Sequence, residues 1–468
     1  VLRQIKIVIL LLVILVTNNT VAAQQADSAT VTIESILIVG NRKTDESIIR
    51  REMLFTEGDT IDLATLEQKV ARSRENLLNT SLFNFVTINL APTALGRCQV
   101  VVMLDERWYW MPYLIFEQAD RNLSAFFRNR HWNRINYGFM LVNNNFRRHN
   151  ETLKLKLRLG YKQQIQVLYD IPYITQNKRH GIAAQMSFYR QHEVGYATFA
   201  NKPLYFNLST RYAIKNQDLL LTYTYRPKHD FRFSLSADYA RAHIVDSLAK
   251  LNPMFFNNGS NHAQYFTLTY LMDWNRCNYK AYPTKGFNVT FEANKIGINL
   301  LHNELQGEWN ATLEAYKYIE ISKRWYTGFG GKGKISPNKK QPYYTERALG
   351  YSDYLRSYEY YIIDGQQFIT GRSFVKFAII PFSVSQIDSW SWQSFNKIHY
   401  SLFINAFIDA GYVHDIAPCP GNTMANRGLF SAGIGLDLVT YYDWIFRLEG
   451  SAGNRGDNGI YVHVKKAF

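Results

Sequence analysis

Cysteine is scarce in this 468-residue chain: Cys98, Cys277 and Cys419 are the whole complement, and they lie far apart. So few, so scattered, exclude a disulfide framework, and all three read as free thiols. Long apolar runs are missing after residue 23, which leaves no stretch near the ~20 residues a membrane-spanning helix requires. Catalytic signatures are missing too. No HExxH, CxxC, GxSxG or phosphate-binding glycine loop occurs. The eleven histidines stand at no catalytic spacing from a serine or aspartate, and His243 with Asp246 reads as a strand rim. An enzyme, a cofactor and a metal-ligand set are therefore not expected.

What is present begins with export. Arg3 and Lys6 precede an apolar run from Ile7 to Val16, and Val21-Ala22-Ala23 supplies small residues for cleavage, so residues 1–23 read as a secretory signal peptide. The chain is 47% hydrophobic and 15% aromatic, with 32 tyrosines and 29 phenylalanines. A secreted soluble protein could have such a composition; so could a barrel whose strands alternate apolar and polar, because alternation hides membrane strands from a hydropathy average. Charge divides the chain. Residues 29–106 carry 8 Lys/Arg against 11 Asp/Glu, whereas residues 107–468 carry 43 against 26. The basic residues of the second region fall at every other strand position, which suits a charged lumen and not a nucleic-acid patch.

Residues 29–106 read as a small β-α-α-β-β domain. Val31 to Val39 alternates as a strand, and Gly40-Asn41 turns it. Thr44 is a candidate N-cap for a helix from Ser47 to Phe55, and Asp62 caps a second helix with Leu66, Val70, Leu77 and Leu78 on one face. Phe83 to Leu90 and Gln99 to Glu106 are two further strands about the Pro92–Gly96 turn.

From Trp108 onward the period is two. Leu153, Leu155, Leu157 and Leu159 alternate with Thr152, Lys154, Lys156 and Arg158; Ile460, Val462 and Val464 alternate with Tyr461, His463 and Lys465. One apolar and one polar column per strand is what a closed sheet in lipid demands, since closure satisfies every backbone group. Sixteen antiparallel strands are expected: 109–118, 135–147, 151–162, 164–171, 181–190, 218–226, 231–243, 263–274, 286–296, 307–319, 324–334, 370–381, 399–412, 429–439, 443–451 and 459–468. Short turns such as His149-Asn150 alternate with long segments such as 191–217 and 335–369. Two turns on the short side, 275–285 and 382–398, are longer than the pattern favours.

Several segments resemble one family. Val39-Gly40-Asn41-Arg42, Ile49-Arg50-Arg51-Glu52 and Leu82-Phe83-Asn84-Phe85-Val86 resemble a POTRA domain. Asp273 to Gly286 (DWNRCNYKAYPTKG) is similar to a turn of the BamA/TamA superfamily of outer-membrane barrels, also called bacterial surface antigens. Leu355-Arg356-Ser357-Tyr358 stands where that family has an Arg-Gly-aromatic tip in its sixth outer loop, here with serine in place of glycine. Phe407-Ile408-Asp409-Ala410-Gly411 matches its Asp-Ala-Gly strand, and the terminal Phe468 its barrel-recognition signal. The resemblance implies an all-β transmembrane barrel of sixteen strands in the bacterial outer membrane, preceded by one α+β POTRA domain in the periplasm.

The same resemblance implies insertion of barrel proteins, or translocation of secreted polypeptides, with unfolded chains, outer-membrane lipid and periplasmic accessory proteins as partners. Arg356 and Tyr358 on the loop, with Asp409 and Gly411 on the barrel wall, form the implied loop latch. Pro112 in the first barrel strand, with Gly459 and Phe468 in the last, marks a lateral seam. Tyr358, Tyr360 and Tyr361 read equally as loop packing or as interface aromatics. Lys154, Lys156, Arg158, Lys332, Lys334 and Lys465 are lumen bases that neutralise carboxylates such as Glu292, Glu308 and Glu314, or favour anionic cargo. A passive basic-lumen pore and a membrane tether for a periplasmic partner are the rival readings.

Overall fold

The computed structural model describes residues 30–118, 135–208, 210–256, 259–301, 304–305, 307–338, 340–386, 397–455 and 458–466. The signal-peptide segment 1–23 and Phe468 lie outside the described residues, as does the side chain of Lys465. The N-terminal domain comprises β1 (Thr30–Val39), α1 (Glu46–Glu52), β2 (Thr60–Asp62), α2 (Leu63–Leu78), β3 (Phe83–Ala94) and β4 (Arg97–Glu106). Its sheet order is β2-β1-β4-β3, with β1 and β4 parallel. Both helices cover one face, where Ile33, Ile48, Ile49, Leu66, Leu77, Phe83, Val100 and Val102 are all but inaccessible. Asp62 caps α2 by accepting from the Thr65 amide. The cap of α1 is Asp45 and not Thr44: its carboxylate accepts from the Ser47 amide at 2.9 Å, a stronger acceptor for an orphan helix amide than a hydroxyl. The Thr44 hydroxyl bonds Tyr109 and Asn145 instead.

Sixteen antiparallel strands follow in one sheet. The first five are β5 (Trp110–Gln118), β6 (Ile135–Phe146), β7 (Glu151–Gly160), β8 (Lys162–Ile171) and β9 (His180–Gln191). A separate two-stranded hairpin comes next, β10 (Glu193–Phe199) and β11 (Lys202–Asn207), in what reads from sequence as loop 191–217. Ala200 and Asn201, both at positive φ, make its two-residue turn. The barrel sheet resumes with β12 (Ile214–Lys228), β13 (Phe231–Ile244), β14 (His262–Asn275), β15 (Gly286–Ile296), β16 (Glu308–Glu320) and β17 (Trp325–Ile335). It ends with β18 (Gln367–Gln386), β19 (Lys397–His414), β20 (Gly428–Thr440), β21 (Trp444–Gly453) and β22 (Gly459–Lys466). A short helix, α3 (Asp246–Leu251), lies between β13 and β14. Each barrel strand pairs with its chain neighbour, β9 joining β12 across the hairpin. β18 and β19 reach several residues beyond the expected spans and shorten the turn between them.

The period-two columns sort as lipid and lumen require. Leu219, Leu221 and Tyr223 on β12, Ile404 and Ile408 on β19, and Ile460, Val462 and Val464 on β22 all face outward. Between them point Asn216, Asn405, Asp409 and Tyr461, which are buried. Outward apolar side chains gain nothing from water exclusion within the protein, so lipid is the solvent that makes this arrangement stable.

Candidate functional site

The loop between β17 and β18, residues 336–366, folds into the lumen. Its apolar anchor is a cluster of Leu349, Leu355, Tyr358 and Ile363 against Phe368, Val413 and Leu429 of the wall. Leu355 packs over Gly411, where a Cβ would meet its methyls in ordinary contact at 3.4 Å. The polar anchor is Arg356. It donates Nε to Asp409 Oδ2 at 2.7 Å and Nη2 to Asp409 Oδ1 at 2.5 Å, a bidentate fork with Asp409 wholly buried. The guanidinium lies 3.5 Å from the Phe407 ring centroid, and Nη1 reaches Glu449 Oε1 at 3.4 Å. Ser357 is at φ 73° and buried, and its carbonyl accepts from Tyr461 on β22. The Tyr358 hydroxyl donates to the Phe430 carbonyl and Asn454, and Tyr360 packs on Tyr461 at 5.6 Å. These two tyrosines pack the loop inside the barrel. The expected latch residues Arg356, Tyr358, Asp409 and Gly411 thus come together in one place.

The latch continues through groups that pattern reading did not single out. Glu449 neighbours Arg447, which forks onto Asp437 at 2.7 and 3.0 Å. Asp437 in turn accepts from the Tyr282 hydroxyl at 2.6 Å. Tyr282 belongs to the 276–285 turn, so the charged chain runs from the outer loop to the opposite end of the lumen. Tyr279 of the same turn donates to Asp443, in the tight turn between β20 and β21. Gly286 closes this turn at φ 109°, where a Cβ would lie 2.1 Å from the Arg276 carbonyl oxygen. The strand-face alternation of Asp437, Arg447 and Glu449 was the available signal; the reach of Tyr279 and Tyr282 into the lumen had none.

Asp443 is also where the N-terminal domain is tied to the sheet's far end. Arg107, in the link just before β5, donates Nη1 and Nη2 to its two carboxylate oxygens at 2.6 and 3.1 Å. Burial pushes the Asp443 carboxyl up, and the Arg107 charge and hydrogen bonds outweigh it, leaving the group below the usual carboxylate range. Further round the rim, Glu52 of α1 accepts a fork from Arg226 at 2.6 and 2.9 Å. Burial raises the Glu52 carboxyl, but Arg226 more than offsets this and holds it low. Asn79 bonds the 277–280 backbone, Arg51 donates to the Lys178 carbonyl, and the Asp45 amide donates to the Arg148 carbonyl. The domain therefore lies across the mouth formed by the short turns. Cys277, beneath it, is buried, and burial pushes its thiol up to about 12; among the described residues all three cysteines are free.

The lumen bases do not form one filter. Lys332 binds Asp353 at 2.8 Å and lies 3.9 Å from Glu314, while Lys334 donates to the Arg347 carbonyl, so both serve the loop. Arg158 pairs with Glu117 at 3.0 Å across the lumen face; Lys154 and Lys156 share its strand and are half-buried.

At the two ends of the sheet, β5 pairs with β6 and β22 with β21, and among the described residues no ladder joins β5 to β22. The ends nonetheless lie side by side, because Tyr113 of β5 meets Trp444 of β21 edge-on at 6.5 Å. Pro112 is within β5, opposite Leu141. The Asn144 amide donates to the Tyr109 carbonyl, so residue 109 sits at a hydrogen-bonded pair. By the alternation of antiparallel ladders residue 112 does not. The proline nitrogen, which has no hydrogen to donate, therefore faces the sheet's open edge. Gly459 opens β22 opposite Ser451.

A sixteen-stranded antiparallel barrel with an inward-folded loop and one small α+β domain over its inner mouth is an outer-membrane barrel preceded by a POTRA domain. The family model described as POTRA, a surface antigen variable number repeat, matches residues 31–107, and the Omp85 superfamily domain matches residues 145–441. The chain belongs to the Omp85 superfamily. Its fold is similar to that of BamA from Haemophilus ducreyi lacking POTRA domains 1–3, at 15% identity and a TM-score of 0.50, covering 92% of this chain and 83% of that one. It is similar also to CdiB from Escherichia coli, at 12% identity and a TM-score of 0.57, covering 94% and 76%. No curated protein matches the sequence.

Proposed function

We propose that the protein acts on other polypeptides at the outer membrane, inserting or passing β-rich chains through a seam between β5 and β22. Family membership supports polypeptide insertion or translocation in general terms. The observation that carries the finer reading is that, among the described residues, no ladder joins the two sheet ends, with Pro112 turned toward the gap. At ~1 kcal/mol net per hydrogen bond, an edge that lacks a donor is the least costly place to part the sheet. Among the described residues every other junction of the sheet is laddered, and the loop latch braces β19 and β21 from within.

An arriving chain would first meet the POTRA sheet. Among the described residues no strand lies beyond β3, and β1 is covered by β2 only over Thr30 to Thr32. Such an edge takes an extra strand by backbone pairing, with little demand on sequence. The passive-pore reading is weakened by the loop that folds into the lumen. Reconstitution into liposomes tests the proposal. The purified protein should speed the folding of a small barrel substrate above the rate in empty liposomes. Ion conductance without such acceleration would favour the pore, and neither activity would favour the tether.

A further inference from the structure

We infer that Glu359, Glu449 and His463 form a binding site for a divalent transition cation of the zinc type, which ties the loop tip to the last barrel strand. The three side chains come from three elements: the inserted loop, β21 and β22. One ligand atom from each lies within 4.8 Å of the other two. His463 Nε2 is 3.1 Å from Glu359 Oε1 and 3.5 Å from Glu449 Oε2. Ligands bound at 2.0–2.2 Å in a tetrahedron stand roughly 3.3–3.6 Å apart, so the two separations from His463 need only small adjustment to accept an ion, and the two carboxylates lie within 4.8 Å of each other.

Two observations argue for a ligand beyond the cluster itself. Glu359 is 7% exposed, and its Oε1 has no hydrogen-bond partner. His463 Nε2, aimed at the same point, has none either. Buried polar atoms without partners are costly and rare, and several converging on one point are most simply satisfied by a shared ligand.

Charge sets the sign of that ligand. Asp409 and Asp437 are committed to forked pairs with Arg356 and Arg447. Glu449 turns its Oε1 toward those same arginines, at 3.4 and 3.7 Å, and leaves Oε2 toward His463. Two carboxylates and an imidazole nitrogen then face one point, and the nearest arginines are shared with Asp409 and Asp437. Tyr354 stacks on the His463 ring at 5.9 Å and 16°, which holds its orientation. An oxygen–oxygen–nitrogen donor set with one coordination position left over suits zinc and its neighbours better than calcium or magnesium.

An ion here would cross-brace the latch and the seam strand, because His463 is on β22 itself. The test uses the full mature chain, purified in detergent, stripped with chelator and titrated with Zn²⁺ and with Co²⁺ as a spectroscopic probe. One bound metal per chain, visible cobalt absorption of tetrahedral intensity, and a raised unfolding temperature with zinc are expected. Glu359→Gln, which alters only the loop, and His463→Gln should each weaken binding by at least about tenfold, with unboiled gel mobility reporting that the barrel remains folded. Equal metal retention in wild type and both variants would show adventitious binding elsewhere and overturn the site. Failure of the wild type to bind either ion would overturn it as well.

Discussion

The two mouths of this barrel are closed by different chemistry. The outer plug is the 336–366 loop, covalently part of the wall, held by an apolar cluster and by a charge pair with Asp409 entirely out of water. The inner plug is a separate folded domain, held at its rim by forked ion pairs and by side chains on backbone carbonyls. A dry latch of the first kind resists exchange, since removing one partner strands a buried charge. The inner forks are just as dry, with Glu52 and Asp443 buried, so what water or another chain can replace there is the set of single hydrogen bonds to backbone carbonyls.

Breaking the outer latch should have the largest effect. Arg356→Ala or Asp409→Asn should each cost about 3–5 kcal/mol, as expected when half of a buried pair is removed, read as a lower temperature for losing the folded gel mobility. The double variant should cost little more than either single one, because both remove the same interaction. At the inner mouth, Arg107→Ala should cost about 1.5–3 kcal/mol of docking. Protease sensitivity at residues 107–109 should rise while the barrel's unfolding temperature stays put.

Acid should reproduce that loosening. Glu52 and Asp443 are both depressed in the folded protein, so their contribution is complete above the unfolded values of about 4. It fades as pH falls through the lower folded values. Hydrogen exchange in α1 should therefore accelerate below about pH 4, and Glu52→Gln should flatten that dependence. Smallest of all, Ser357→Gly should raise latch stability by at most about 1 kcal/mol, since it relieves a left-handed backbone that serine adopts at a cost.

Sequence made the barrel legible because lipid imposes a strict two-residue period, and that period survives without knowledge of any partner. The expected strands recur in order; their ends shift most at the end of β18, which runs on to Gln386, and at the start of β12, which begins at Ile214. Arg356 and Asp409 were legible through resemblance. Their extension to Glu449, Arg447, Asp437 and Tyr282 was not, because it joins residues up to 155 positions apart. The β10–β11 hairpin passed for a loop because its strands are short and stand apart from the barrel sheet. Arg107 with Asp443, 336 positions apart, left no trace beyond two ordinary charges. The Glu359, Glu449 and His463 cluster was missed for the same reason: the loop must first be inserted before its carboxylate meets the other two.

The seam is tested most directly by locking it. Leu114→Cys on β5, paired in turn with Val462→Cys and Val464→Cys on β22, places thiols on the outward faces of the two end strands, with Cys98, Cys277 and Cys419 replaced by alanine. Oxidation should abolish the acceleration of barrel-substrate folding in liposomes, and reductant should restore it. Undiminished acceleration by the fully cross-linked protein would contradict lateral opening between β5 and β22.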